Sequence, residues 1–264
     1  MNRYLLLLIS VLLFGGSYNS NGQARITGNT LHTPDEYYIR VKQFGEFIER
    51  FNYKSDWRGN AITEEFSKKM PRTSYILYLI NAEDPRLSTS ADSIYRKDCS
   101  RFISFVTDPN NPQTINLFSG QVTAWAKVNV IYGNKNYNVD VAMVPEVAAD
   151  RSVKWVISKV EADCFASATD SLQQLFIAPN SHETSFINMK KISGSSNPIY
   201  FFRQSIATDP TLLFMTEVQA KRMKIQTIEQ VTYHIAFPGW EITVDDFNRN
   251  TNNSGWLISN IVKN

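Results

Sequence analysis

The chain has 264 residues, of which 43% are hydrophobic and 20% are charged, and its formal net charge is +2. The hydrophobic fraction is large enough to build a packed core, in one large domain or two modest ones. Basic residues form no cluster longer than a pair, as at Lys68-Lys69, Lys190-Lys191 and Lys221-Arg222. The sequence therefore gives no electrostatic support for nucleic-acid binding, and we predict no nucleic-acid partner.

An export signal is predicted at the N-terminus. A positive charge precedes an apolar run over residues 4–14. This run is shorter than the roughly 20 apolar residues that a membrane-spanning helix needs, and its length is typical of a cleavable signal. The small residues Ser20 and Gly22 predict cleavage before Gln23, with a buried N-terminal helix as the alternative. We expect residues 1–22 to be removed, leaving a periplasmic or cell-surface protein without a transmembrane anchor.

Two cysteines, Cys99 and Cys164, remain after cleavage. In an oxidising compartment an even number of cysteines favours a disulfide. A bridge here would close a loop of roughly 65 residues, which is worth about 4 kcal/mol in the chain-entropy interpretation. Their separation excludes a CxxC redox centre, and no set of histidines accompanies them to bind zinc. The alternative is a pair of buried free thiols.

The first helical pattern follows a leader at residues 23–32. Residues 33–36, Thr-Pro-Asp-Glu, form a capping box with proline at the first helical position. An apolar stripe at helical spacing follows it and consists of Tyr37, Val41, Phe44, Ile48 and Phe51. The pattern predicts a helix over residues 33–52.

Two more helical stretches are predicted before residue 107. The first places Phe66 and Met70 inward and is interrupted by Pro71. Ser90 is predicted to cap the second, whose apolar stripe consists of Tyr95, Cys99, Phe102, Ile103 and Val106. We therefore expect a layer of helices in the first third of the chain.

The apolar period changes from helical to alternating after residue 112. Alternate residues from Val122 to Val130 are apolar, and a hairpin turn is predicted at residues 133–136. The return strand is predicted over residues 137–143 and a third strand over 155–160. Helices followed by an antiparallel meander predict an α+β fold, with helices packed on a curved antiparallel sheet.

The second half of the chain repeats the first in outline. The hexapeptide at 155–160, Trp-Val-Ile-Ser-Lys-Val, is echoed at 256–261 by Trp-Leu-Ile-Ser-Asn-Ile. A helix is predicted to open at Asp209-Pro210, with Leu212, Met215, Val218 and Met223 as its apolar members. We interpret the echo as two related domains, at residues 33–165 and 170–264, with chance similarity as the alternative.

This order of elements resembles the cystatin-like superfamily, the group that includes nuclear transport factor two. The resemblance is carried by the helix at 33–52, the helix at 90–106 and the meander that ends at residues 155–158. It implies a cone-like α+β fold. Members of the superfamily include ketosteroid-isomerase-like enzymes, polyketide-cyclase-like proteins, ligand carriers and tandem extracytoplasmic scaffolds of secretion systems. Such a fold implies no single function, and no active-site motif of the family can be placed on this chain.

Few residues offer metal or catalytic chemistry. The chain has three histidines, and His182-Glu183 lacks the second histidine that a zinc-protease helix carries four residues on. Glycine-rich phosphate loops and calcium loops are also missing from the sequence, so we predict no metal and no cofactor. Two triplets, at residues 92–94 and 170–172, match a short acceptor pattern for O-glycosylation.

Four residues are singled out as candidates for function. Asp140 is a weak candidate for a general base, because it shares the polar face of a strand with Asn138; the alternative is that both side chains face water. Trp57, Trp240 and Tyr37 are candidates for contacting a ligand or partner, with core packing as the alternative.

We therefore expect an exported, non-catalytic binding or scaffold protein of the bacterial envelope, whose partner is an envelope protein or a small ligand. The second hypothesis is an isomerase- or hydrolase-like enzyme with a carboxylate in the cone pocket of the first domain. An enzyme needs a titratable group inside an enclosed cavity. The inward strand positions are almost all apolar, which favours binding.

Overall fold

A computed structural model of the chain describes residues 39–41, 43–88, 93–149, 151, 153–165, 202–203 and 209–264. The predicted export signal, Tyr37, the capping box at 33–36 and His182-Glu183 lie outside the described residues. The glycosylation triplet at 170–172 lies outside them as well.

After β1, the described chain has two blocks, and in each block the helices precede three strands. The helices are α1 (Phe44–Phe51), α2 (Glu64–Lys69), α3 (Arg72–Leu77), α4 (Pro85–Ser88), α5 (Ile94–Val106) and α6 (Pro210–Gln219). The strands are β1 (Ile39–Val41), β2 (Val122–Tyr132), β3 (Lys135–Val147), β4 (Val153–Glu161), β5 (Met223–Phe237), β6 (Trp240–Phe247) and β7 (Asn253–Lys263).

Helix α1 is shorter than the sequence predicts. The expected helix over 33–52 is wrong at its N-terminal side, because residues 39–41 form β1 and pair in parallel with β7. Strand pairing here overrides a helical apolar period. The helix begins at Phe44, and the predicted apolar stripe holds from that point, since Phe44 and Phe51 are both buried together with Phe47.

Hydroxyl side chains cap the N-termini of α2 and α5. The Thr63 hydroxyl accepts a hydrogen bond from the backbone N–H of Phe66 at 3.2 Å and caps α2. Ser93 caps α5 in the same way, by accepting from the N–H of Arg96 at 3.2 Å, whereas Ser90 lies outside the described residues. The predicted stripe of α5 is confirmed from Cys99 onwards, because four of its members are buried: Cys99, Phe102, Ile103 and Val106.

Helix α6 begins where the sequence predicts but buries a different face. The Asp209 carboxylate accepts from two backbone N–H groups of the first turn, at 2.8 and 3.2 Å. The buried members are Leu213, Phe214 and Glu217, whereas the predicted inward residue Met215 is 55% exposed.

All seven strands belong to one sheet, in the order β1-β7-β6-β5-β2-β3-β4. Strand β1 pairs in parallel, and the other six strands pair antiparallel. The α+β architecture is thereby confirmed. Strands β2 and β5 are neighbours, so the sheet continues across the predicted domain boundary at residues 165–170.

The meanders β2-β3-β4 and β5-β6-β7 share one internal register. Pairs between β3 and β4 recur between β6 and β7 at a constant offset of 101 residues (242 against 141, 261 against 160). In both meanders the last strand has a β-bulge at the same point, where one residue has no pairing partner. These skipped residues are Ser158 in β4 and Ser259 in β7. Their hydroxyls lie 3.2 Å from the backbone oxygens of the equivalent residues Ala142 and Thr243.

A local two-fold relation joins the two meanders at β2 and β5. The pair Ala124↔Tyr233 is its centre, because the offset between β3 and β6, followed through the two hairpins, makes Ala124 and Tyr233 equivalent, and these two residues pair with each other. The Tyr233 ring lies 5.9 Å from Trp155 and 5.0 Å from Trp256, measured between ring centroids. The two repeated tryptophans are half-buried and meet on the same ring.

The core lies on one face of the sheet and consists of two clusters. Helices α1, α3 and α5 pack on β5, β6 and β7, with Phe47, Phe51 and Phe102 fully buried. Helix α6 packs with Phe165 on β2, β3 and β4. The helices that precede β2 therefore cover the second meander, and the helix that precedes β5 covers the first.

Candidate functional site

The opposite face of the sheet, named here the outer face, carries the polar residues of the central strands. In β2 the even-numbered residues from Val122 to Val130 are buried in the core, so the odd-numbered residues point outward. In the centre of the outer face lies an open depression of about 390 Å³. Its lining residues are Trp125, Lys127, Asp140, Glu161, Gln230, Thr232 and His234.

Asp140, the catalytic candidate, lines this depression and is half-buried. It lies on the face away from the helices, between Lys127 on β2 and Glu161 on β4. Directly opposed residues in antiparallel strands have their Cβ atoms about 4.5–5.5 Å apart. Lys127 is therefore a neighbouring cation that the spacing along the chain did not reveal.

The second meander has an acid at the position equivalent to Asp140. The register offset places Glu241 there. Alternation alone, with Ile242 set against Val139, would put Thr243 at this position instead. Glu241 is paired with His234, whose Nδ1 lies 2.9 Å from the Glu241 Oε1 atom. Both side chains are partly exposed.

Asp245 organises the polar side chains beside this pair. Its Oδ1 atom accepts hydrogen bonds from the Thr232 hydroxyl at 2.5 Å and from the Gln230 amide at 3.3 Å. Its Oδ2 atom accepts from the Ser259 hydroxyl at 2.5 Å. Three strands thus contribute to one hydrogen-bonded cluster of Gln230, Thr232, Asp245 and Ser259.

Trp125 provides the main apolar surface of the depression. The Lys159 ammonium lies 5.9 Å from the centroid of its indole ring, within the range of a cation–π contact. The same ammonium lies 2.6 Å from the Glu161 carboxylate. The outer face therefore combines a half-buried aromatic ring with charges of both signs, among them the Lys159–Glu161 ion pair.

Sequence reasoning found Asp140 but missed His234, Trp125 and Asp245. One signal was available: the tripeptide Gln-Val-Thr occurs at 121–123 and again at 230–232. Aligned on this repeat, Trp125 and His234 occupy equivalent positions, which matches the two-fold relation in the sheet. Among the described residues, no three His, Cys, Asp or Glu side chains are grouped so as to hold a metal ion.

The two cysteines are buried and are not bonded to each other, which corresponds to the second of the two alternatives that the sequence leaves open. Cys99 lies in the cluster on the second meander, and Cys164 lies in the cluster on the first. The packing of α5 and the short segment after β4 against different meanders keeps them apart. Burial raises the pKa of Cys99 to about 11, so this thiol stays protonated and unreactive at neutral pH.

The aromatic candidates for ligand contact have different positions. Trp240 is 6% exposed and packs edge-on against Phe102, at 5.7 Å between centroids. It is therefore a core residue, and its selection as a contact residue is wrong. Trp57 is half-buried and packs against Phe66 at 5.1 Å, while Tyr37 lies outside the described residues.

Comparisons of the chain with protein-family models, with curated proteins and with solved structures find no match. None of the described helices combines the length and the apolar character needed to cross a membrane.

Proposed function

We propose that this chain is an exported, non-catalytic binding or scaffold protein of the bacterial envelope, and that it docks a partner protein on the outer face of its sheet. The observation that carries the proposal is the ordered but open polar cluster around Trp125. Export is supported by the N-terminal sequence pattern, and the mode of binding is supported by the geometry of the outer face.

The openness of the depression favours a protein partner over a small ligand. Sites for small molecules bury most of the ligand surface. Lys127, Glu161 and Gln230 stand exposed around this depression, so a small ligand would remain largely in water. A protein surface can cover the whole area instead.

The chemistry of the outer face favours selective rather than general adhesion. The charges have a fixed order across the strands: Lys127 opposes Asp140, and Asp140 opposes Glu161, so one cation lies beside two acids. A partner must present the complementary order of charges, because the opposition of like charges costs free energy. Trp125 supplies the aromatic anchor that such interfaces commonly use.

We also propose that the two meanders are related units, as in the tandem scaffolds of the family that the sequence resembles. The constant register offset and the skipped serines support this relation. Membership of that family and a cone-like shape stay predictions.

A capture experiment tests the binding function. The mature chain is immobilised and exposed to an envelope extract, beside a Lys127→Glu, Lys159→Glu variant and a control with Lys54→Glu and Lys68→Glu. Both variants change the charge equally, but the control residues lie in the helical layer. We expect the same captured protein with wild type and control, and its loss with the outer-face variant. Equal capture by all three forms would contradict the proposed surface.

An isomerase- or hydrolase-like enzyme is the second candidate, because Asp140 and His234 line the same depression. In that case Asp140→Asn would abolish turnover of a substrate while leaving the melting temperature unchanged. If Asp140→Asn still captures the partner protein and no substrate turnover is lost, the result favours the binding function over the enzyme.

A further inference from the structure

A basic groove lies at the turn end of the β2–β3 hairpin. It has a volume of about 820 Å³. The residues that matter for its chemistry are Tyr132, Tyr137, Lys135, Lys221, Arg222 and Lys224. They come from two segments of the chain, the β2–β3 hairpin and the turn into β5, so the sequence does not show Lys135 beside the other cations.

Strand pairing fixes two of the cations on either side of β2. Lys135 opposes Tyr132 across the hairpin, and Lys224 opposes Ile131 on the β5 side. Their backbones are two strand spacings apart, roughly 10 Å, and alternation puts Lys135 on the core side with Tyr132 and Lys224 on the outer side with Ile131. Their long side chains therefore reach the groove around the end of the sheet. The turn after α6 adds Lys221, whose N–H donates to the carbonyl of Val218 at 3.0 Å and whose φ is +59°.

The positive charge of the groove is largely uncompensated. Arg222 forms a two-point contact with Glu217, at 2.7 and 2.9 Å. Within the part of the chain that the structure describes, no ion pair involves Lys135, Lys221 or Lys224, and no acid lines the groove. Salt screens the repulsion between exposed cations at this distance, so these lysines remain available to contact a bound anion directly.

We propose that the basic groove binds a phosphate monoester carried on a sugar-sized group. A phosphate monoester carries −1.5 to −2 charges near neutral pH and three strong acceptor oxygens, which suits several lysine ammonium groups. The volume is too large for a bare phosphate and lies within the range of sites for small organic ligands. The Tyr132 and Tyr137 rings supply a wall against which the organic group packs.

The test measures the affinity of the full mature chain by calorimetry for glucose 1-phosphate, with glucose as the uncharged control. The variant combines Lys135→Gln, Lys221→Asn and Lys224→Gln, because asparagine tolerates the left-handed backbone of residue 221. We expect at least a tenfold loss of affinity in this variant. The matched control, Lys54→Gln with Lys68→Gln and Lys69→Gln, should stay within twofold of wild type.

Two sources of the phosphate monoester are separated by a second arm. Sedimentation with phosphatidylcholine vesicles that contain phosphatidic acid tests a lipid headgroup, beside vesicles of phosphatidylcholine alone. Binding of glucose 1-phosphate assigns a soluble ligand, and binding of phosphatidic acid vesicles alone assigns a lipid. If neither binds, or if the lysine variant binds as well as wild type, the proposal is wrong. The outer-face variants leave this affinity unchanged, so failure here is distinct from failure of the docking surface.

Discussion

Replacement of each skipped serine by alanine tests whether the two equivalent positions contribute differently to the free energy of unfolding. Ser158 is exposed and its hydroxyl has one partner, the carbonyl of Ala142 at 3.2 Å. Ser259 is half-buried, and its single proton goes to the nearer acceptor, the Asp245 carboxylate at 2.5 Å.

The expected magnitudes follow from the acceptors. A hydrogen bond between neutral groups contributes about 0.5–1.5 kcal/mol, and one to a charged group about 1.5–3 kcal/mol. Exposure puts Ser158→Ala near the lower end of the first range, at about 0.5 kcal/mol. Ser259→Ala should cost about 1.5–2 kcal/mol, because Asp245 keeps the Thr232 hydroxyl as a partner and is not left unsatisfied.

Urea unfolding of the mature chain measures this difference, with Ser104→Ala as an exposed control that should change stability by less than about 0.5 kcal/mol. The free energies of unfolding should differ by about 1 kcal/mol between the two serine variants. A double-mutant cycle of Ser259→Ala with Asp245→Asn should give a coupling of at least about 0.5 kcal/mol. Equal costs for the two serines, or additivity in the cycle, would refute the assigned hydrogen bond.

Four further outcomes are expected. Asp140→Asn should change the free energy of unfolding by less than about 0.5 kcal/mol, as measured by urea unfolding, because the carboxylate faces an open depression. Hydrogen bonds from Arg86 hold the pKa of Asp84 below its usual value. The ionised carboxylate therefore stabilises the folded chain above about pH 4, and this contribution is lost as the pH falls further. The difference in melting temperature between Asp84→Asn and wild type should accordingly shrink as the pH falls. Thiol titration without a reductant should find two reactive groups in the denatured chain and slow reaction in the native chain, whereas no reaction after denaturation would indicate a disulfide. N-terminal sequencing of the exported product should begin within a few residues of Gln23, and retention of Arg3 would contradict the predicted signal.

The alternation of apolar residues predicted the strands better than helical spacing predicted the first helix. Buried residues alternate from Val122 to Val130 as expected, because one face of the strand meets the core and the side-chain period of two fixes which residues lie on that face. The stripe from Tyr37 to Phe51 has a helical period, but pairing of residues 39–41 with β7 is a contact of long sequence separation. Local spacing carries no information about such a partner.

The candidate site was only partly predictable for the same reason. Asp140 stands out in its own strand, but its neighbours Lys127 and Glu161 come from two other strands and are defined by register. The β-bulge at Ser158 shifts that register by one residue, which alternation alone does not reveal. His234 becomes visible as the equivalent of Trp125 only when the two meanders are aligned through their pairing.

Site-specific photo-crosslinking in the native envelope tests the docking surface most directly. A photoreactive amino acid replaces Lys127 on the outer face in one form of the chain and the exposed Lys68 on α2 in another. We predict that a defined adduct with one partner protein forms from position 127 and is absent from position 68. An adduct from position 68 alone, or the same adduct from both positions, would contradict binding at the outer face.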